Sequence, residues 1–249
     1  MLEFKNYVLA ESLEQAYELN QKRTNRIIGG GCWIRMGRAR IQTAIDLSAL
    51  ELDKITFTNE EVSIGCMCTL RQLETNTKLN EEFDHMFYEA LRSIVGVQFR
   101  NSATIGGSIY RRFGFSDPLT LLLALDTQAE LYKAGRVSLA QFVNMPHDND
   151  ILVALHIKRD ARKVVYMHHR NTATDFPVLA VAVSKIENNW YISIGARPMK
   201  ASLVTVEGKT PSIEEVVNQF TFGSNRRGSS DYRKHLAKVL LGRAITSLN

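Results

Sequence analysis

Two glycine-rich stretches hold the residue types best suited to grip an anion: Gly29-Gly30-Gly31 after the run Arg26-Ile27-Ile28, and Gly106-Gly107 between Thr104 and Ser108. Glycine lets the main chain bend tightly and bring its N–H groups to phosphate oxygens, and the hydroxyls of Thr104 and Ser108 are further donors. Taken together the two stretches can cradle a pyrophosphate; taken singly, each reads as a plain tight turn. The first is not a nicotinamide fingerprint. It lacks the G-x-G-x-x-G spacing, a patterned helix directly after it and an acidic strand end about 20 residues on, since Asp46 in Ile45-Asp46-Leu47 stands outside any Rossmann unit. The lysine of a phosphate-binding loop is missing too.

Other reactive side chains read as bystanders. The cysteines are Cys32, Cys66 and Cys68, fewer than an iron–sulfur cluster commonly takes and not spaced as a zinc knuckle. Cys66 and Cys68 alternate on an expected strand and share a face, which suits buried, reduced thiols better than a redox pair. His168-His169 are adjacent rather than at the spacing of a helical metal pair. Trp190 reads as core, and no Ser-His-Asp or Cys-His signature is found.

The elements that must position the glycines follow from periodicity. Residues 12–21 read as a helix with Ser12 as N-cap, 26–28 as a strand running into the first glycines, and 45–47 as a second buried strand. A hairpin is expected over 54–65, and amphipathic helices over 69–74 and 84–95, the latter leading into the second glycine turn. Ser116-Asp117-Pro118 opens a helix over 119–125. A hairpin at 130–139 and a short helix at 138–142 follow. Beyond them, 151–158, 164–168 and 190–195 read as strands, 178–186 as helix or strand, and 212–220 and 232–248 as helices. At 249 residues, 45% hydrophobic and 23% charged, the chain reads as an ordinary globular protein, and a typical domain size of roughly 150 residues favours two modest domains. Net charge is +5, but basic residues cluster only at Arg111-Arg112, Arg226-Arg227 and 158–163, short of a nucleic-acid surface. No apolar run approaches the ~20 residues of a membrane span, and the N-terminus is charged where a signal peptide is apolar. A soluble, cytoplasmic protein is the expectation.

Several of these segments, in order, carry a family resemblance: Arg26-Ile27-Ile28-Gly29-Gly30-Gly31, Ile45-Asp46-Leu47, Arg100-Asn101-Ser102-Ala103-Thr104-Ile105-Gly106-Gly107-Ser108, Ser116-Asp117-Pro118-Leu119, then Gly195-Ala196-Arg197-Pro198 and Tyr232-Arg233. The chain resembles, over nearly its whole length, the medium, FAD-binding subunit of xanthine and carbon monoxide dehydrogenases. The run from Arg100 to Gly107 is the most specific piece. The resemblance implies an α+β fold: a flavin-binding domain of the PCMH type over 1–146, in two subdomains split near 50–55, followed by a smaller α/β domain over 147–249. By position, Ile28, Gly29, Gly30, Gly31, Cys32, Trp33 and Ile34 would wrap the FAD pyrophosphate, and Thr104, Gly107 and Ser108 would close on it. Asp117 would accept from the ribityl or adenosine side, and Ile94 and Leu152 would flank the cofactor.

The chain also departs from that pattern. Cys32 and Trp33 stand where the family usually has Thr-Asp, Ser108 where it often has Asn, and Met167 where a basic residue often lies by the flavin. Tyr110-Arg111-Arg112-Phe113-Gly114 replaces small residues; its arginines pair with phosphate or are simply solvated. Functionally, the resemblance implies an oxidoreductase subunit that is active only in a complex. It would pass electrons from the clusters of a [2Fe-2S] small subunit through FAD to NAD or another acceptor, beside a molybdopterin large subunit. The alternative is a non-catalytic scaffold of the same complex with lost or weakened FAD binding.

Overall fold

The computed structural model describes residues 3–249. The chain opens with β1 (Glu3–Leu9), a largely exposed strand with no apolar run to announce it. Helix α1 (Leu13–Asn20) starts as expected, with the Ser12 hydroxyl accepting the Gln15 N–H. β2 (Arg26–Ile28) and β3 (Arg40–Asp46) then complete a parallel sheet in the order β1-β3-β2. The glycine triplet thus leaves the C-terminal end of a parallel strand, where the side chains of open α/β sheets give way to ligand crevices.

β4 (Ile55–Phe57) and β5 (Glu61–Gly65) form the expected hairpin. Five short helices follow: α2 (Leu70–Thr75), α3 (Thr77–Glu82), α4 (Met86–Leu91), α5 (Val97–Ser102) and α6 (Ile105–Tyr110). Three expectations are corrected in this region. The helix expected over 84–95 is only α4, because Asp84, His85 and Val95 have φ of 51°, 61° and 49°, a left-handed backbone that breaks a right-handed helix at both ends. The second glycine turn is not a turn: Gly106 and Gly107 lie inside α6, with Thr104 as its N-cap. Cys66 and Cys68 are buried as expected, yet they lie beyond the end of β5 rather than on a strand.

α7 (Asp117–Ala124) begins with Ser116 as cap and proline in its first turn, and all its residues are buried. β6 (Thr127–Leu131), β7 (Gly135–Ser138), α8 (Leu139–Asn144) and β8 (Leu152–Lys158) close the first part of the chain. The five-stranded sheet runs β4-β5-β8-β6-β7. β8 lies past the boundary expected between 146 and 147 but fills the middle of this sheet, pairing with β5 and β6. We propose 159–162 as the junction.

β9 (Lys163–His169), β10 (Leu179–Ile186), β11 (Asn189–Gly195) and β12 (Ser202–Glu207) form an antiparallel sheet ordered β12-β11-β10-β9. α9 (Ile213–Asn218) and α10 (Ser230–Leu248) follow. This sheet is covered on both faces. Ala180 and Ala182 belong to the core shared with α7, whereas Leu179, Val181 and Val183 belong to a second core with α9 and α10. Trp190 sits in that second core, fully buried, its Nε1 donating to the Gly208 carbonyl at 2.9 Å. α7 comes so close to β11 that a Cβ on Gly195 would lie 2.1 Å from Thr120 Oγ1. No helix among the described residues is long and apolar enough to cross a membrane.

Candidate functional site

The two glycine stretches, more than seventy positions apart in sequence, meet in space. A Cβ on Gly30 would fall 1.5 Å from the Ser102 carbonyl oxygen, and one on Gly29 would fall 2.5 Å from Thr104 Oγ1. Only bare main chain can pass so near the junction of α5 and α6. Gly31 has φ of +68°, a left-handed bend that turns the loop back over this contact.

The donors are divided unequally between the two stretches. In α6 the first turn is spent on the protein: Ile105 and Gly106 N–H donate to the carbonyls of Cys68 and Cys66 at 2.8 and 2.9 Å, and Gly107 N–H to Thr104 Oγ1 at 3.2 Å. The Ser108 hydroxyl donates to the Thr104 carbonyl at 3.0 Å. Of the expected second-loop donors only the Thr104 hydroxyl proton remains, which corrects the view of that stretch as a set of main-chain donors. In the first loop, by contrast, the N–H groups of Gly29, Gly30, Gly31, Trp33 and Ile34 donate to no acceptor among the described residues. Successive free N–H groups on a bent backbone form a concave anion site.

Clefts open on either side of this contact. The first, of about 390 Å³, is bordered by twelve of the thirteen expected site residues, Ile28 to Ile34, Ile94, Thr104, Gly107, Ser108 and Asp117. The thirteenth, Leu152, borders the other cleft, of about 460 Å³. Ile27, Gly29, Thr104, Gly107, Arg111 and Phe113 edge both. Volumes of this size suit small organic ligands. The first cleft has mainly apolar walls, among them Leu70, Phe99, Phe113, Phe115 and Phe176; the second gathers Arg23, Arg26, His147, Asp148 and Asn149.

The substituted positions have structural roles. Cys32 is buried beneath the loop, its thiol facing the carbonyls of Gly30 and Phe99 at 3.6 and 3.8 Å. Burial raises its pKa, which keeps it a thiol packed under the loop. Trp33 swings out to an aromatic group, its ring 4.8 Å from Phe113 and 5.6 Å from Phe115, with Phe115 4.1 Å from Phe176. Gly114 lets the Phe113–Phe115 segment lie against the 198–199 turn, where a Cβ would meet the Pro198 carbonyl at 2.6 Å. Arg100, the first residue of the most specific run, does not reach the cleft. It is buried, grips Glu74 at 2.7 Å and donates to the Ile94 carbonyl at 2.9 Å, fixing the cleft wall.

At one end of the first cleft the expected Asp117 is joined by two buried polar residues outside the expected set, Arg170 and Tyr166. Arg170 and Asp117 side chains are each 5% exposed, with Arg170 Nη2 2.8 Å from Asp117 Oδ1. The Tyr166 hydroxyl donates to the same oxygen, and Arg170 Nη1 donates to the Asp175 carbonyl. Burial raises the Asp117 carboxyl above its ordinary range despite these partners, and raises the Tyr166 hydroxyl further. Next to them, burial and then the Arg170 charge lower His168 to about 4. Phe113, in the segment that departs from the family pattern, and Phe115 just beyond it could have been noticed as an aromatic pair. Arg170 and Phe176 lie just after Met167, in a segment that the resemblance sets by the flavin; periodicity gives no sign of them, because β9 and its following loop reach the cleft only through the tertiary fold.

The profile of the FAD binding domain in molybdopterin dehydrogenase matches residues 2–160. The chain belongs to that family. A curated relative is the glyceraldehyde dehydrogenase medium chain of Sulfolobus acidocaldarius, 28% identical with 96% of each chain covered. Another is the uncharacterized protein YgfM of Escherichia coli K12, 26% identical over 93% of this chain and 91% of that one. Among solved structures, carbon monoxide dehydrogenase from Oligotropha carboxidovorans matches with a TM-score of 0.85 at 20% identity, covering 99% and 97% of the two chains. Quinoline 2-oxidoreductase from Pseudomonas putida 86 matches at 0.84 and 19%, covering 99% and 96%. These likenesses show the fold. The cofactor of this family is FAD, and the residues present fit it: the cradle that a Cβ on Gly30 would fill, the free N–H groups above it, and Arg170, whose buried Nε has no hydrogen-bond partner in place.

Proposed function

We propose that this chain holds FAD across the contact between the Gly29–Gly31 loop and Thr104, as the electron-carrying medium subunit of a molybdenum-containing dehydrogenase. The observation that carries this reading is the set of free main-chain N–H groups, placed between an apolar cleft and one that gathers charged side chains. The diphosphate would lie on the N–H groups, the flavin ring in the apolar cleft beside Ile94 and Phe176, and the adenosine towards Leu152 and the arginines of the second. Ile28, Cys32 and Ile34 would shape the loop, with Ser108 and Asp117 behind it. Bound FAD supplies the ability to take and release electrons singly or in pairs; the chain supplies position, shielding and charge. Electrons would come from a [2Fe-2S] small subunit and leave to NAD or another acceptor, while a molybdopterin large subunit oxidises an aldehyde or N-heterocycle.

The decisive measurement is titration of the flavin-free chain with FAD, FMN and riboflavin, followed by flavin fluorescence. FAD should saturate the protein at one per chain and bind far more tightly than riboflavin, which lacks the diphosphate. Absence of saturable FAD binding would favour the second reading, a scaffold of the same complex. The spent donors of α6 are the observation on that side.

A further inference from the structure

We propose that Arg111 clamps the diphosphate of bound FAD together with the Gly29–Gly31 loop, replacing with one charged side chain the main-chain donors that α6 has spent. The inference rests on the FAD reading above and adds a residue to it, at a position where the family resemblance has small side chains. Arg111 edges both clefts, as do Gly29, Thr104 and Gly107. It therefore stands at the contact where the loop with its free N–H groups meets α6. Its backbone, with φ of −71° and ψ of −20°, continues α6 by one residue, which puts it four positions after Gly107 on the same helix face. A long helical side chain leans back toward the N-terminus of its helix. Arg111 thus leans over Gly107, where no side chain holds it off the clefts.

The neighbouring cations are committed elsewhere. Arg112 is buried, its Nη1 donates to the Met145 carbonyl, and its guanidinium lies 4.1 Å from the centre of the Phe142 ring. Its φ of 50° ends the helix, so the two adjacent arginines part. Arg26 Nη1 donates to the Arg23 and Asn25 carbonyls at 2.5 and 2.6 Å, and Arg23 edges only the second cleft. The carboxylates of that cleft are occupied as well: Asp148 by the Tyr110 hydroxyl and the Asp150 N–H, Asp150 by the N–H groups of Lys133 and Ala134. The Arg111 guanidinium is exposed and makes no ion pair among the described residues. Its planar fork matches phosphate oxygens two at a time. A full positive charge there adds to what the main-chain dipoles of the loop supply.

The test titrates the full-length, flavin-free wild type, Arg111→Lys, Arg111→Gln and Arg111→Glu with FAD and with riboflavin, at low and high salt, following flavin fluorescence. Arg111→Gln should weaken FAD binding about tenfold and leave riboflavin binding unchanged. Arg111→Lys should keep part of the FAD affinity, as a charge without the fork, and Arg111→Glu should lose more than the glutamine variant. Salt should weaken FAD binding less in Arg111→Gln than in wild type, because the charge that salt screens is gone. Equal losses for FAD and riboflavin would mean that Arg111 shapes the cleft or the fold, and would overturn the inference alone. Unchanged FAD affinity in the glutamine and glutamate variants would show a merely solvated arginine and overturn it too. Failure of wild type to bind FAD, or to prefer it to riboflavin, would overturn the FAD reading and this inference with it.

Discussion

Gly30 and Gly31 adjoin in sequence but are glycine for different reasons. At Gly30 the constraint is external, since its Cβ would collide with the main-chain oxygen of Ser102, which no side-chain rotation can move aside. At Gly31 it is internal: φ is +68°, and nothing lies within 4 Å of where a Cβ would be. Gly30→Ala should therefore push the loop off α5 and α6. It should cost roughly 1–3 kcal/mol or more and weaken FAD binding at least tenfold. Gly31→Ala should cost about 1 kcal/mol of backbone strain and leave the loop seated, so FAD binding should change little. Thermal melts and FAD titration of the two variants check this, and a larger binding loss at Gly31 would contradict it.

β9 shows how an element prepares a site that its own sequence does not advertise. Alternate residues of the strand face opposite cores, so Tyr166 is placed beside Asp117 while Met167 packs away from it. His168 continues the Tyr166 side, and its buried Nδ1 has no partner. Burial and the Arg170 charge hold it near 4, below the ordinary 6.5. A histidine depressed in the fold contributes stability that is complete above its unfolded value and is lost as pH falls through the folded one. Between pH 6.5 and 4 the chain should lose on the order of 2 kcal/mol from this group, allowing for its partial exposure. His168→Gln should flatten that window in urea denaturation at stepped pH. An unchanged pH slope would show that the ring does not titrate across it.

At the scale of the molecule, α7 is the element that both halves need. It starts at the cleft with Asp117 and is buried along its length between the first core and the β9–β12 sheet, where Ala180, Ala182 and Gly195 are small enough to let it approach. A fragment ending at residue 160 keeps every residue matched by the family profile yet strips the sheet from α7. Exposed apolar surface of that kind promotes association. The fragment should aggregate or bind a hydrophobic dye strongly, whereas the whole chain stays monodisperse. A soluble, FAD-binding fragment would show that the second half is separable.

Local order was legible where it depends on neighbours in sequence: the Ser12 and Ser116 caps, the 54–65 hairpin, the strand feeding the first glycines and the fully buried Trp190. The ambiguous 178–186 run became strand because its alternate residues enter two different cores, so it is apolar throughout and its period is hidden. The glycine motifs, with the family resemblance they carry, pointed to the two segments that meet in space but not to how the donors are shared. The spending of the α6 donors on Cys66 and Cys68, the placing of β8 in the first sheet and the arrival of Arg170 and Phe176 at the cleft all join residues far apart in the chain. Pairings of that kind leave no period or spacing to read, because they depend on which main-chain groups and faces remain unsatisfied once every element has packed.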